Sequence, residues 1–278
     1  ETGGSTSVDE SGTTDTFTVV LIGQPSSDVV FNISSDDTGE ATVTSSLTFT
    51  SANWDTPQTV TITGADDDII DGTQTSTITI AIDDVNSNNS FDAVADQTVS
   101  VTTTDDDVAG FTIAETDGST SVDESGTTDA FTIVLDAQPD SDVVLSISSG
   151  DTGETTVTST LTFTSANWDT PQTVTATGVD DDIIDGNQTT TVTVTVNDGS
   201  SDDDFDGVAD QTVSVTTTDD DVAGFTIAET DGSTSVDESG TTDTFTIVLD
   251  AQPTSDVVLS ISSGDTGETT VTSSLTFT

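Results

Sequence analysis

Acidic residues gather at three places in the middle part of this 278-residue chain, each just beyond a run of alternating apolar residues. Glu124 stands within VDESG, Asp180–Asp182 and Asp185 within GVDDDIIDG, and Asp219–Asp221 within TTTDDD. Carboxylates brought together without a cation repel one another and resist ionisation. An all-oxygen ligand set suits a hard divalent cation, and Ca²⁺, which takes about six to eight oxygens in flexible geometry, fits it better than Mg²⁺. The clusters therefore predict a Ca²⁺ site, provided that the fold brings them together.

Composition excludes several other kinds of site. The sequence holds 53 Asp and Glu and no Lys, Arg, His, Cys or Tyr, so its side chains can form neither a salt bridge nor a disulfide. Nucleic acid and anionic membranes are excluded as electrostatic partners, because both attract basic surfaces. Paired carboxylates serve glycosidases, but the sequence offers no aromatic-lined sugar cleft, and the pair would recur in every copy. We therefore expect a protein that is not an enzyme.

The clusters recur because the whole sequence repeats with a period of 114 residues and no insertion. Residues 115–164 and 229–278 differ at only three of 50 positions, Ala130/Thr244, Asp140/Thr254 and Thr160/Ser274. A fixed period indicates one structural unit copied in tandem, and this unit is long enough to bury its own core. We predict a unit at 1–107 that lacks its first strand, a complete unit at 108–221 and a partial unit at 222–278. Because the sequence starts and stops within a repeat, we expect it to belong to a longer array.

The elements that must position these carboxylates are β-strands. Apolar and polar residues alternate with period two in the middle copy, as in Phe131, Ile133 and Leu135, and turn-forming residues separate the runs. One-sided patterning of this kind is typical of an all-β, antiparallel, immunoglobulin-like sandwich of about seven strands per copy. The predicted strands are Gly110–Ala114, Asp129–Leu135, Asp142–Ser148, Thr155–Thr164, Gln172–Thr177, Thr190–Val196 and Gln211–Thr217.

The order of these motifs carries a family resemblance. VxE near the start, SLTFTSANWDTPQTV, GxDDDxIxDG and a closing TTTDDD are similar to Calx-β domains, above all to the Calx-β-like repeats of large bacterial secreted and surface proteins of the adhesin or filament type. The resemblance implies a seven-stranded sandwich that binds Ca²⁺ at one tip. Carried over by position, the metal ligands would be Glu10, Asp67, Asp68, Asp71, Asp105, Asp106, Asp107, Glu124, Asp181, Asp182, Asp185, Asp219, Asp220, Asp221 and Glu238.

The sequence departs from the family pattern in two ways. Gln74 and Gln188 stand where many members have a further Glu after the acidic loop. The family's Asp between strands three and four has no single counterpart, and Asp151 and Glu154 are both candidates for it.

A second acidic pattern, Asp202-x-Asp204-x-Asp206-Gly207, matches the opening of an EF-hand loop. It lacks the Glu of position twelve, where Val213 stands, and the first copy replaces its opening residue by Asn88. We interpret it as an acidic loop rather than an ion site.

The linker between copies is short. The terminal Asp run is followed by only VAG before the next strand, at 108–110 and 222–224. We therefore expect Ca²⁺ to tie the tip of one copy to the next, in an extracellular or cell-surface rod or filament such as an adhesin extender. Extracellular Ca²⁺ modules bind at about 10⁻⁴–10⁻³ M, which suits that location. The expected partners are neighbouring repeats and further copies of the array.

Two alternatives stay open at this point. The Thr-rich strand faces could form a binding module for ice or a glycan, or the chain could be a non-catalytic spacer of a larger secreted enzyme. In the third copy, the missing strands could come from the same chain or from another.

Overall fold

The computed structural model describes residues 5–278; the first four residues of the predicted unit 1–107 lie outside that range. The described part is built from strands, and its helices are 3₁₀ turns of three residues at Thr116–Gly118, Asp198–Ser200, Asp203–Phe205 and Thr230–Gly232. No helix among the described residues is long and apolar enough to cross a membrane. The prediction of an all-β, immunoglobulin-like sandwich is confirmed.

The middle copy consists of two facing sheets. One sheet has the order β10-β17-β16-β12-β14 and the other has the order β13-β15-β11-β9. The strands are β9 (Phe111–Glu115), β10 (Thr120–Asp123), β11 (Thr128–Leu135), β12 (Val143–Ser149), β13 (Thr155–Val157), β14 (Thr160–Phe163), β15 (Gln172–Gly178), β16 (Gln188–Val196) and β17 (Gln211–Thr218).

The core between these sheets follows the alternation in the sequence. Phe131, Ile133 and Leu135 of β11 are at most 2% exposed. On β16 the valines at 192, 194 and 196 are buried, whereas the threonines between them face outward. Burial of large apolar side chains supplies the main favourable free energy of folding. The period-two pattern therefore predicts correctly which face of each strand is buried.

Two features of the strands differ from the sequence prediction. β10 was not predicted, and it pairs in parallel with β17, from Thr120 opposite Val215 to Asp123 opposite Thr218. The predicted strand Thr155–Thr164 is broken into β13 and β14, which lie in opposite sheets. The break falls where Thr158 N–H donates to Thr175 of one sheet and Ser159 C=O accepts from Ile147 of the other. The chain changes sheets there because neighbouring backbone groups find partners on opposite sides.

The first copy repeats this arrangement, with sheet orders β1-β8-β7-β3-β5 and β2-β6-β4. Among the described residues its second sheet contains no counterpart of β9. The strands are β1 (Thr6–Asp9), β2 (Thr14–Val19), β3 (Val29–Ser35), β4 (Ala41–Val43), β5 (Ser46–Phe49), β6 (Gln58–Gly64), β7 (Gln74–Ile82) and β8 (Gln97–Thr104).

The third copy contributes two separate strand pairs, β18 with β19 and β20 with β21. Its apolar residues are less buried than their counterparts; Phe225 is 51% exposed, whereas Phe111 is 2% exposed. The strands are β18 (Phe225–Glu229), β19 (Phe245–Leu249), β20 (Val257–Ser260) and β21 (Ser274–Phe277).

Gly178, at the end of β15, allows the close approach of β10. A Cβ atom there would lie 2.1 Å from the carbonyl oxygen of Asp123 and 2.8 Å from its carbonyl carbon. We expect Gly178→Ala to destabilise the middle copy by about 1–3 kcal/mol, as overpacking does. Urea unfolding followed by the fluorescence of Trp168, in a chain that carries Trp54→Phe, measures this copy alone because the sequence has only two Trp.

Gly207→Ala is the matched control for this substitution. No atom lies within 4 Å of a Cβ built at Gly207. If both alanine variants unfolded at the same urea concentration, the steric explanation for glycine at position 178 would be wrong.

Candidate metal centre

Each cluster begins with a buried glutamate that follows the parallel strand directly. Glu10 follows β1 and Glu124 follows β10, and both side chains are 1% exposed. The Glu124 N–H donates to the carbonyl of Thr218 at 3.1 Å, and Glu10 makes the same bond to Thr104. Because β10 runs parallel to β17, both strands end at the same edge. Glu124 is thereby held beside the aspartate run that follows β17.

Aspartates fold the acidic loop onto this edge. In the first copy, Asp105 accepts from the Gly72 N–H at 2.8 Å through Oδ2 and from the Asp107 N–H at 2.7 Å through Oδ1. Asp67 accepts from the Ile69 N–H at 2.8 Å. Gly72 has φ +70°, a left-handed conformation that favours glycine. These bonds close the loop after β6 against the end of β8.

The middle copy makes the same three bonds. Asp219 accepts from Gly186 at 2.7 Å and from Asp221 at 2.8 Å, and Asp181 accepts from Ile183 at 2.6 Å. The acidic loop is therefore closed by the same hydrogen bonds in both copies.

Carboxylate oxygens meet at the tip of each of these two copies. In each of three groups, one oxygen from every member lies within 4.8 Å of the others. Such spacing allows one cation to contact several carboxylates, as Ca²⁺ does in proteins. The groups are Glu10 with Asp105 and Asp107, Glu10 with Glu40 and Asp71, and Glu124 with Asp181 and Asp221.

Glu40 belongs to one of these groups but was not among the predicted ligands. Its counterpart in the middle copy, Glu154, was only a candidate beside Asp151. Asp151 is exposed, and it forms a turn by accepting from the Gly153 N–H at 2.9 Å. Glu40 is 8% exposed and joins the group of Glu10. The signal in the sequence was the motif DTGE, which recurs in all three copies.

Burial has a large electrostatic effect on these carboxyls. It raises the pKa of Glu10 to about 7, and the charge of Asp105 adds to the effect. It also raises the pKa of Glu124 to about 7, with Asp219 as the next cause. The pKa of Asp107 rises to about 6 for the same first reason. A nearby cation favours the charged forms. Raised pKa values are therefore what we expect for carboxyl ligands of a cation when the cation is not bound.

The residues fit a hard divalent cation. One carboxylate oxygen of each of six acidic residues is buried and has no hydrogen-bond partner. A buried acceptor without a partner is unfavourable, and no basic side chain exists in the sequence to pair with it. A cation from solution would supply that partner. The six atoms are Glu10 Oε2, Glu40 Oε2, Asp107 Oδ2, Glu124 Oε2, Glu154 Oε2 and Asp221 Oδ2.

Several predicted ligands lie at the margin of the clusters. Four of them are exposed and belong to none of the three groups, namely Asp68, Asp106, Asp182 and Asp220. Asp67 and Asp219 are half-buried, close the loop and are also outside the groups. The charge of Asp68 nevertheless helps to raise the pKa of Asp107, after burial and the charge of Asp105. Exposed Asp185 is likewise outside the groups.

Two other positions of the prediction differ in their surroundings. Glu238 is exposed in the third copy, where no acidic loop follows within the sequence. Gln74, found in place of a family Glu, donates to the carbonyl of Asp71 at 2.9 Å and so braces the loop.

The EF-hand-like segment has a structural role. Asp202 is 6% exposed and accepts from the N–H groups of Ser141 at 2.7 Å and Asp204 at 3.1 Å. Asn88 occupies this position in the first copy, where it accepts from the Ser90 N–H and donates to Ser26. Asp and Asn can both make these loop-closing bonds, which explains why the copies differ here.

Comparisons with known proteins give weak matches. No protein-family model and no curated protein sequence matches the chain. The calcium binding domain CBD12 of CALX1.1 matches at 16% identity with a TM-score of 0.30, over 69% of this chain and 77% of that one. Domains 4 and 5 of the S-layer protein SbsC match at 17% identity and 0.33, over 68% and 70%. Domains 1–6 of SbsC match at 16% and 0.34, over 89% of this chain and 28% of that one. At such TM-scores the fold of this chain is described from its own sheets alone.

Proposed function

We propose that this chain is an extracellular structural repeat protein whose tandem β-sandwiches are stiffened by Ca²⁺. The observation that carries the proposal is that one loop serves both the candidate metal centre and the next copy. Asp71 belongs to one carboxylate group of the centre. In the same loop, the carbonyl of Asp68 accepts from the Gln138 N–H at 2.7 Å. The Ile70 side chain packs against the core of the middle copy.

The second junction repeats this contact. Gln252 N–H donates to the carbonyl of Asp182 at 2.5 Å, and Ile183 forms a parallel bridge with Gln252. A cation that orders the acidic loop would therefore also order the surface on which the next copy rests. In the repeated array this coupling would limit bending at every junction and produce a rod or filament.

Several features support an extracellular location. Carboxylate-rich modules with affinities of about 10⁻⁴–10⁻³ M fill only at extracellular Ca²⁺ concentrations. The short VAG connection leaves little free linker between the cluster and β9. Neighbouring repeats and further copies in a surface fibre are the partners that this function requires.

The spread of distances between two spin labels tests the stiffening. Ser100→Cys and Ser214→Cys place labels at equivalent exposed positions of the first two copies, and the chain has no other Cys. We expect Ca²⁺ to narrow the distance distribution, and Glu10→Gln to remove most of that narrowing. A distribution of the same width with and without bound Ca²⁺ would contradict the stiffening function.

A further inference from the structure

The two junctions present different residues to the acidic loop. At the first junction Ile69 forms a parallel bridge with Gln138, and at the second Ile183 forms one with Gln252. In a parallel pair both chains advance together. Counted two residues on in the same register, Asp71 corresponds to Asp140 at the first junction, and Asp185 corresponds to Thr254 at the second.

This position is one of three at which residues 115–164 and 229–278 differ. The first copy has Ser26 at the equivalent place, so the three copies carry a hydroxyl, a carboxylate and a hydroxyl in turn. Pro139 is buried, whereas Asp140 next to it is exposed.

The charge of Asp140 reaches the loop. The carboxyl of Asp140 lies close enough to that of Asp71 for its charge to act on it, as do the charges of Asp67 and Asp105. Asp140 belongs to the next copy, so this influence crosses the junction.

Asp71 is part of a built site rather than an isolated surface charge. It forms one group with Glu10 and Glu40, which are 1% and 8% exposed and each have a buried oxygen without a hydrogen-bond partner. A cation held by this group would lie beside the loop that faces Asp140.

We propose that the first junction binds a divalent cation of the Ca²⁺ type with Asp140 of the middle copy as an additional ligand, and that the second junction lacks this ligand because Thr254 replaces it. The inference rests on the cation site of the proposed function. With the ion bound, Asp140 clamps the two copies together. Without it, Asp71 and Asp140 repel each other across the junction. The first junction is thus the more Ca²⁺-dependent of the two.

Exchanging the two residues tests the assignment. In the full chain, Asp140→Thr gives the first junction the residue of the second, and Thr254→Asp does the reverse. By calorimetric titration with CaCl₂ we expect Asp140→Thr to weaken one class of site by about 5- to 10-fold, the size expected for removing one nearby charge in a solvated site. We expect Thr254→Asp to strengthen another class. The label pair at positions 100 and 214 should show a broader Ca²⁺-bound distribution in Asp140→Thr.

Ser26→Asp is the matched control, because it adds the same side chain at the equivalent position of the first copy. No acidic loop of a preceding copy lies among the described residues there, so the affinity should stay unchanged. Asp140→Asn, which keeps the shape of the side chain, separates loss of charge from loss of packing and should behave as Asp140→Thr does.

The outcomes separate this inference from the proposed function. If the unaltered chain binds Ca²⁺ and Asp140→Thr changes neither the Ca²⁺ affinity nor the distribution of label distances, Asp140 is not a ligand. The proposed function then stands. The assignment of Asp140 as a ligand is also wrong if Ser26→Asp changes the Ca²⁺ affinity as much as Thr254→Asp does, since net charge alone would then explain both changes. If the unaltered chain binds no Ca²⁺, both proposals fail.

Discussion

Chelation of Ca²⁺ from the full chain is expected to lower its melting temperature by about 5–20 °C relative to a solution with about 10 mM CaCl₂. With dissociation constants of about 10⁻⁴–10⁻³ M, saturation at that concentration stabilises the folded state by about 1.4–2.7 kcal/mol per site. For a unit of this size, each kcal/mol shifts melting by about 4–8 °C. The physical reason is that the cation supplies the missing partner of the buried Glu10 and Glu124 oxygens. Calorimetric melting in EDTA and in CaCl₂ measures the effect.

The formal charge of −53 makes a salt control essential. Any salt screens repulsion among exposed carboxylates and thereby stabilises a strongly charged fold. NaCl at the ionic strength of the CaCl₂ solution should recover only a small part of the shift, and MgCl₂ less than CaCl₂, because Mg²⁺ gives up its waters reluctantly. Full recovery by NaCl would mean that the clusters are a solvated acidic surface.

Glu124→Gln is expected to change stability in opposite directions with and without Ca²⁺. In Ca²⁺ the middle copy should become less stable, because a ligand carboxylate is lost. We expect the affinity of this copy for Ca²⁺ to fall at least about 10-fold, since even residues that only hydrogen-bond to metal ligands have an effect of this size. Without Ca²⁺ at about pH 7.5 it should become more stable, because a neutral amide replaces a buried charged carboxyl. Urea unfolding followed by Trp168 in the Trp54→Phe chain reports on this copy.

Without Ca²⁺, the gain in stability from Glu124→Gln should increase with pH. Burial raises the pKa of Glu124 from 4.5 to about 7. A raised pKa in the folded state means that the contribution of Glu124 to stability is complete below about pH 4.5 and is lost as the pH rises through about 7. The advantage of the amide should therefore be small near pH 4.5 and largest above about pH 7.

Glu238→Gln is the control for this substitution. Glu238 has the same sequence neighbours as Glu124 but is exposed in the third copy. It should leave the middle copy unchanged in both solutions. If the Glu124→Gln chain unfolds in Ca²⁺ as the control does, Glu124 is not a ligand of the metal centre.

Much of the fold was predictable because its signals are local. Alternation along β11 and β16 identified the buried faces, and turn residues separated the strands. β10 escaped prediction because it is only four residues long and its pairing with β17 joins positions about 95 residues apart. The break at Thr158 also escaped, since nothing in the run Thr155–Thr164 interrupts the alternation.

In the candidate centre, the buried Glu10 lies with Asp105 and Asp107, and the buried Glu124 lies with Asp181 and Asp221. That these residues bind a metal stays a prediction. Glu40 was not among the predicted ligands, because only the packing of its loop brings it beside Glu10. Asp202 resembles the opening of an EF-hand loop, and we interpreted its segment from the sequence as an acidic loop rather than an ion site. Its hydrogen bonds to backbone N–H groups show a structural role.

The sequence by itself determined the 114-residue period, the β class, the buried strand faces and the places where carboxylates accumulate. Composition also determined that any positive partner of those carboxylates must come from outside the chain, since no basic residue is present. Only the tertiary structure decided which carboxylates share a site, and that the loop carrying Asp71 also supports the next copy through Asp68 and Ile70. The physical reason is range. Alternation and turn chemistry act between near neighbours, whereas a metal centre and a junction depend on strand pairings that bring distant parts of the chain together.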